Sequence, residues 1–268
     1  MRGWWWGPAA ALLVVAAVLM YSGLPNVWTR WLRQTALRRW PAAGSRVALT
    51  FDDGPDPGYT PRLLDALKAC GVRATFFLIA DKALRRPDIV ERMIREGHEV
   101  QVHGMRHLLV PALPPGRTAE QVFTAADRLE ERFGVSVRWY RPTWGLCNLA
   151  TLWWIGHRRR GMRLVTWSIM VGDWRKAGAT PEAGARVLLN RIVRRLHPGA
   201  ILVLHDSDET WGSEAGAPEQ VIRLMPMLAE ALGKRGYRLC RLSDLFVPQE
   251  VADSGGWPQD AGRGRRDS

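Results

Sequence analysis

Cysteine is scarce in this chain, and its number is odd. Cys70, Cys147 and Cys240 stand far apart, which excludes a disulfide framework and a zinc knuckle and leaves buried structural thiols as the reading. Acid is short as well. Against 38 Lys and Arg there are 26 Asp and Glu, for a net charge of +12, and the cations are overwhelmingly Arg. Such a surface favours anionic surroundings, whether lipid headgroups or an acidic wall polymer. No Arg-rich helix interleaved with aromatics occurs, so no nucleic-acid partner is expected. Charge is missing altogether between Trp4 and Leu24. This run of about 20 residues, dominated by Ala, Leu and Val, matches a bilayer span. Trp4, Trp5, Trp6 and Trp28 sit at its two ends, where interfacial anchors belong. A cleaved signal peptide is the rival reading, but no small-x-small cleavage site follows the apolar core. The expectation is a single-pass N-terminal transmembrane helix. Only Arg2 precedes it, whereas Arg30, Arg33, Arg38 and Arg39 follow it. Positive-inside counting therefore puts the rest of the chain in the cytoplasm.

With 47% hydrophobic residues in 268, the chain can bury one large core. It divides into a membrane anchor or uncleaved signal (1–24), a basic, Trp-containing connector (25–44), a folded region (45–247) and a Gly-, Asp- and Arg-rich tail (248–268) expected to be disordered. In the folded region, strand-like runs over 46–51, 73–79, 98–102, 136–140, 163–168, 200–204 and 237–242 alternate with helical patterns over 60–69, 87–96, 118–133, 149–160, 181–196 and 218–234. Thr118-Ala-Glu-Gln121 has the spacing of a capping box. Alternation of this kind implies parallel strands with crossover helices. About seven such units in one run suit a distorted, incomplete (β/α) barrel, with an open doubly wound sheet as runner-up. A barrel collects its chemistry at the C-terminal ends of its strands.

The residues at those ends make chemical sense together. The first strand stops in Asp52-Asp53-Gly54-Pro55, a turn sequence that is equally compatible with a purely geometric role. Later strands end in His103-Gly-Met-Arg-His107, in Arg141-Pro-Thr-Trp144-Gly145, toward Asp173-Trp174, and in His205-Asp206. Two histidines four apart fall on one face of a helical turn, and with one Asp they make a two-His, one-carboxylate set. Such a set suits Zn²⁺ or another divalent transition metal. His98, His157 and His197 read as structural or surface residues.

Thr50-Phe-Asp-Asp-Gly-Pro55, Gly97-His-Glu-Val100 leading to His103-xxx-His107, Arg141-Pro-Thr-Trp-Gly145, Asp173-Trp174 and Leu202-Val-Leu-His-Asp206 resemble the five ordered motifs of the polysaccharide deacetylase family. The resemblance covers roughly residues 45–245. It implies metal-dependent removal of N-acetyl groups from the amino sugars of peptidoglycan or a chitin-like glycan, and an extracytoplasmic catalytic domain, against the charge count. Carried over by position, Asp53, His103 and His107 hold the metal (Zn²⁺, or Co²⁺, Ni²⁺ or Mn²⁺). Asp52 is the general base, Arg141 orients it and keeps it ionised, and His205 is the general acid. A backbone N–H near Trp144 serves the oxyanion, Asp173 and Trp174 stand on the substrate side, and Leu202 and Leu204 border the acetyl methyl or are plain core.

One position departs from the family pattern. Met170 stands where an Asp is usual, three residues before Asp173-Trp174, and a thioether cannot stabilise an imidazolium. His205 is then expected to titrate lower, unless Asp173 or Asp206 compensates. Two other functions stay open. One is hydrolysis of a lipid-linked sugar or a non-sugar amide; the other is a weakly catalytic, membrane-tethered glycan-binding protein.

Overall fold

The computed structural model describes residues 6–30, 36–157 and 161–247; the tail expected over 248–268, Trp4, Trp5 and Arg33 lie outside them. Among the described residues nine strands form one sheet: β1 (Ala36–Leu37), β2 (Arg46–Asp52), β3 (Thr75–Ile79), β4 (Glu99–Gly104), β5 (Trp139–Tyr140), β6 (Arg163–Val165), β7 (Ile169–Met170), β8 (Ile201–His205) and β9 (Arg238–Cys240). Their order is β1-β6-β5-β4-β3-β2-β8-β7, with β9 also on β2, and the pairings are parallel. The helices are α1 (Trp6–Val18), α2 (Leu24–Arg30), α3 (Thr60–Ala69), α4 (Ala80–Arg85), α5 (Pro87–Arg95), α6 (Pro115–Ala119), α7 (Ala125–Phe133), α8 (Leu149–His157), α9 (Pro181–Val193) and α10 (Pro218–Gly233). This is the expected curled, incomplete barrel, preceded by an apolar helix.

Strand alternation builds two cores. Val47, Leu49 and Phe51 of β2 face outward and pack with Leu63, Leu64 and Leu67 of α3. Ala48 faces inward, where it meets Phe77, Trp139, Val165 and Ile201 in the barrel interior. The interior is thus filled with side chains below, and its upper end is left for polar groups.

Three local expectations are corrected. The strand expected over 163–168 ends at Val165 as β6, which pairs with β5 and β1, and an unexpected strand, β7, follows at Ile169–Met170 and pairs with β8 at the far end of the order. The chain crosses the barrel's seam between them. Within the stretch expected as a connector, β1 lies along β6, and just after it Trp40 N–H donates to Gly199 O at 2.8 Å. Gly199 is required there, because a Cβ would lie 1.9 Å from the Trp40 carbonyl oxygen. The capping box does not form, since the helix already begins at Pro115 and runs through a π-turn (Glu120–Thr124) into α7. Gln121 instead accepts the Arg106 N–H at 3.1 Å and so steadies the loop after β4.

Residues 6–30 do not stand clear of the barrel. The Asn26 side chain donates to Cys147 O (2.8 Å) and accepts the Cys147 N–H (2.9 Å). Ser22 donates to Pro111 O and Tyr21 to Leu113 O. Toward the other end, Leu12, Leu13 and Val14 are exposed.

Candidate active site

The sheet register sets the site. Asp52 at the end of β2 lies opposite His205 at the end of β8, so two titratable groups stand side by side on adjacent parallel strands, both on the inward face. The next residue, Asp53, has φ +79°, a turn that brings a second, consecutive carboxylate to the same mouth. Gly54 follows because Asp206 packs against it: a Cβ would lie 2.3 Å from Asp206 Oδ2. Asp206 is therefore held beneath the turn, accepting from Thr60 at 2.6 Å, and does not reach His205's ring.

Asp53, His103 and His107 place one ligating atom each within 4.8 Å of one another. Both His Nε2 atoms lie 3.3 Å from Asp53 Oδ1. The helical turn expected for His103 and His107 is absent. His103 belongs to β4, Gly104 (φ +136°) bends the chain, and His107 sits in the following bend. The residues fit a divalent cation on three counts. Asp53 Oδ1 is buried without a hydrogen-bond partner, while Oδ2 accepts from Thr210 at 2.9 Å. His103 Nδ1 donates to Arg141 O at 2.6 Å, which orients the ring as metal-ligating histidines are oriented. A neutral His103 then turns a lone pair toward a carboxylate oxygen, a repulsion that a cation between them removes. Burial alone would raise the Asp53 pKa; where the two histidines carry a proton on Nε2 in place of a cation, they donate to this carboxylate and hold it well below the ordinary range.

Arg141 is wholly buried. Its guanidinium donates to Asp52 Oδ1 (2.7 Å), Thr50 (2.8 Å) and Thr166 O (3.0 Å) and lies 4.0 Å from the centre of the Phe77 ring. His205 is paired from behind: Asp173 Oδ2 lies 3.2 Å from its Nδ1 and accepts its backbone N–H at 2.7 Å. Burial would depress this histidine, but the Asp173 charge, with Asp53 and Asp52 behind it, raises it to about 10. Of the two alternatives, it is compensation by Asp173 that the geometry favours. Asp173 supplies the carboxylate that the position of Met170 does not, and Met170 opens onto the cavity instead.

A cavity of about 310 Å³ joins these groups, lined by Asp52, Asp53, His103, His107 and His205, with Trp144, Trp167, Trp174, Trp211, Val203 and Met170 as an apolar rim. Trp144, at φ +54°, sets its ring edge-on to His107, with centroids 4.2 Å apart. Leu202 and Leu204 do not reach the cavity: both lie in the outer core, and Val203, of opposite parity on β8, lines the wall. Sequence reasoning also missed Trp167, Thr210 and Trp211, which fall outside the motifs.

The chain matches the model of a family described as polysaccharide deacetylase over residues 41–158. It is 32% identical to a chitooligosaccharide deacetylase of Bradyrhizobium sp. (strain ANU 289), over 76% of this chain and 92% of that one. It is 31% identical to a peptidoglycan-N-acetylglucosamine deacetylase of Bacillus cereus, over 75% of this chain and 87% of the relative. Among solved structures, a peptidoglycan N-acetylglucosamine deacetylase superposes with a TM-score of 0.71 at 27% identity, covering 82% of this chain and 95% of that one. The chain belongs to the polysaccharide deacetylase family and is an enzyme of that family, a hydrolase of linear amide bonds.

Proposed function

We propose that this enzyme removes N-acetyl groups from the amino sugars of a cell-surface glycan, peptidoglycan or chitin-like, with a divalent cation at Asp53, His103 and His107. The observation that carries this reading is the register of Asp52 against His205, which puts a carboxylate and a protonated imidazole in one cavity with the Asp-His-His group. The relatives named for chitooligosaccharide and peptidoglycan deacetylation support the substrate class.

The roles follow from contacts. Arg141 aims the Asp52 carboxylate into the cavity, where it serves as general base toward the attacking water. A cation held by Asp53 and the two histidines, Zn²⁺ by the donor set, supplies Lewis-acid polarisation of the acyl carbonyl and a lowered pKa for that water. His205, kept protonated by Asp173, donates from Nε2 to the leaving amine. The Trp144 turn stands beside His107, where a backbone N–H can meet the developing oxyanion. Trp167, Trp174 and Trp211 offer flat apolar faces to a sugar ring.

The N-terminal helix acts as a retained membrane anchor. Ala9–Thr29 is long and apolar enough to cross a bilayer, and a signal peptide destined for cleavage has no use for the two-way Asn26–Cys147 bond or a buried Thr29. A cell-surface glycan calls for an extracytoplasmic domain. The arginines after the helix favour the opposite side by charge count, and the glycan substrate class of the relatives is what favours this one.

The test is acetate release by the full chain in detergent from chitooligosaccharides and peptidoglycan fragments, with and without chelator. Chelator-sensitive release is the expected outcome. Stoichiometric metal binding with no release from any acetylated amino sugar would sink the reading.

A further inference from the structure

The anchor helix is fastened to the two loops that carry the site. Ser22 and Tyr21 bond to Pro111 and Leu113, in the loop that begins at His107. Asn26 bonds to Cys147, three residues beyond Trp144. The two loops are also tied to each other, because Thr143 donates to Leu108 O. Around these bonds lies a set of large apolar side chains that the protein covers only in part. Leu108, Leu109, Leu149 and Trp153 are 38%, 48%, 47% and 51% exposed, and Leu24 and Trp28 on the helix itself are 54% and 39% exposed. Leu149 and Trp153 are one turn apart on α8 and share a face. After α8 the sequence continues Arg158-Arg159-Arg160, cations of the kind that complement anionic headgroups.

Length identifies what covers this surface. From Trp6 to Met20 the helix rises about 22 Å at about 1.5 Å per residue. A hydrocarbon core of about 30 Å needs about 20 residues, so a helix whose aromatic end starts at Trp6 reaches the opposite boundary near Pro25 or Asn26. That is the segment bonded to the loops. No spacer separates membrane from barrel.

We propose that Leu108, Leu109, Leu149 and Trp153 form a docking surface for the lipid bilayer itself, embedded at its interface beside the anchor, so that the site's mouth is held at the membrane surface. The proposal rests on the anchor reading above. Exposed Leu and Trp side chains, with Arg following in the sequence, are the composition of an interfacial surface. The helix's bonds keep that surface from lifting away, and the reach of the enzyme is then set by the bilayer and not by a tether.

Full-length protein with Cys70→Ser, carrying an environment-sensitive fluorophore on a single new cysteine, decides this in liposomes of zwitterionic and anionic phospholipid containing acyl-chain nitroxide quencher. The positions are Leu13→Cys in the span, Leu109→Cys and Trp153→Cys on the surface, and Arg223→Cys on α10 as the water-facing control. Retained acetate release reports that each labelled protein is folded. Loss of at least about half the emission at 13, 109 and 153, with none at 223, is the expected result. Quenching at 13 with 109 and 153 behaving like 223 overturns the docking surface and leaves the anchor standing. No quenching at 13 removes the anchor and the docking surface with it.

Discussion

The imidazole of His205 and the carboxylate of Asp173 form a pair in which one oxygen does two things: Oδ2 lies 3.2 Å from Nδ1 and also accepts the His205 backbone N–H at 2.7 Å. The carboxylate is thus fixed to the strand that carries its partner. Since Asp173 raises the His205 pKa, the protonated acid is present below that value and is lost as pH rises through it. Asp173→Asn removes the charge and keeps the shape, so the alkaline limb of the rate profile should move down by at least about one unit, worth about 1.4 kcal/mol. Deacetylation rates from pH 6 upward check this; a limb that stays put shows that Asp173 does not set the acid.

Asp52→Asn should separate chemistry from metal. Turnover should fall about 10²- to 10⁴-fold, the range for loss of a general base, while dialysed protein keeps its metal. His103→Ala should lose metal and turnover together. Metal analysis beside acetate release distinguishes the two. Equal metal loss in both variants would assign Asp52 to the ligand set.

Arg141 and Asp52 are buried together, and their bond is 2.7 Å. Arg141→Met strands the Asp52 carboxylate, a change that costs about 3–5 kcal/mol when one partner of a buried pair is removed. Adding Asp52→Asn should return a good part of the lost stability without returning activity. Thermal melts of the two single variants and the double variant measure the coupling. Additive losses would show that the pair is not coupled.

His98, read from the sequence as structural, is buried against Phe76 in an edge-to-face contact, and its Nδ1 accepts the Ala74 N–H at 3.1 Å. Burial lowers its pKa to about 4. The unfolded chain, near the ordinary 6.5, takes up its proton first as pH falls. Stability is therefore fully present above about 6.5 and lost between there and about 4, on the order of 3 kcal/mol. Denaturant melts at pH 7 and pH 4.5 should show the loss, and His98→Gln, an acceptor that does not titrate, should show less of it.

The order of the motifs on strand ends was enough to read the barrel and to gather Asp52, Asp53, His103, His107, Arg141 and His205 at one end of it. What spacing could not give was direction. The spacing of four from His103 to His107 suggests a helix, and the turn at Gly104 brings the rings together by another route. Leu202 and Leu204 were candidates for the cavity, although the parity of β8 already decides against them: if His205 faces inward, so does Val203. Thr210 and Trp211 carry no local signal, because their place beside Asp53 and over the cavity exists only once β8 has been laid next to β2. Asp173 reaches His205 only because the chain changes sides of the barrel between β6 and β7. β1 was illegible for its shortness, two residues in an Arg-rich stretch.

That short strand fixes when the molecule can be finished. Ala36 and Leu37 pair with Leu164 and Val165, and Arg39 and Trp40 lie against Gly199 and Ala200. β1 leaves the ribosome before the strand it pairs with, so it waits, unpaired, until β6 has been made, and Arg39 and Trp40 wait until β7 has been made as well. The first stave of the barrel is thus among the last to be seated, and its edge is closed only when most of the chain is in place.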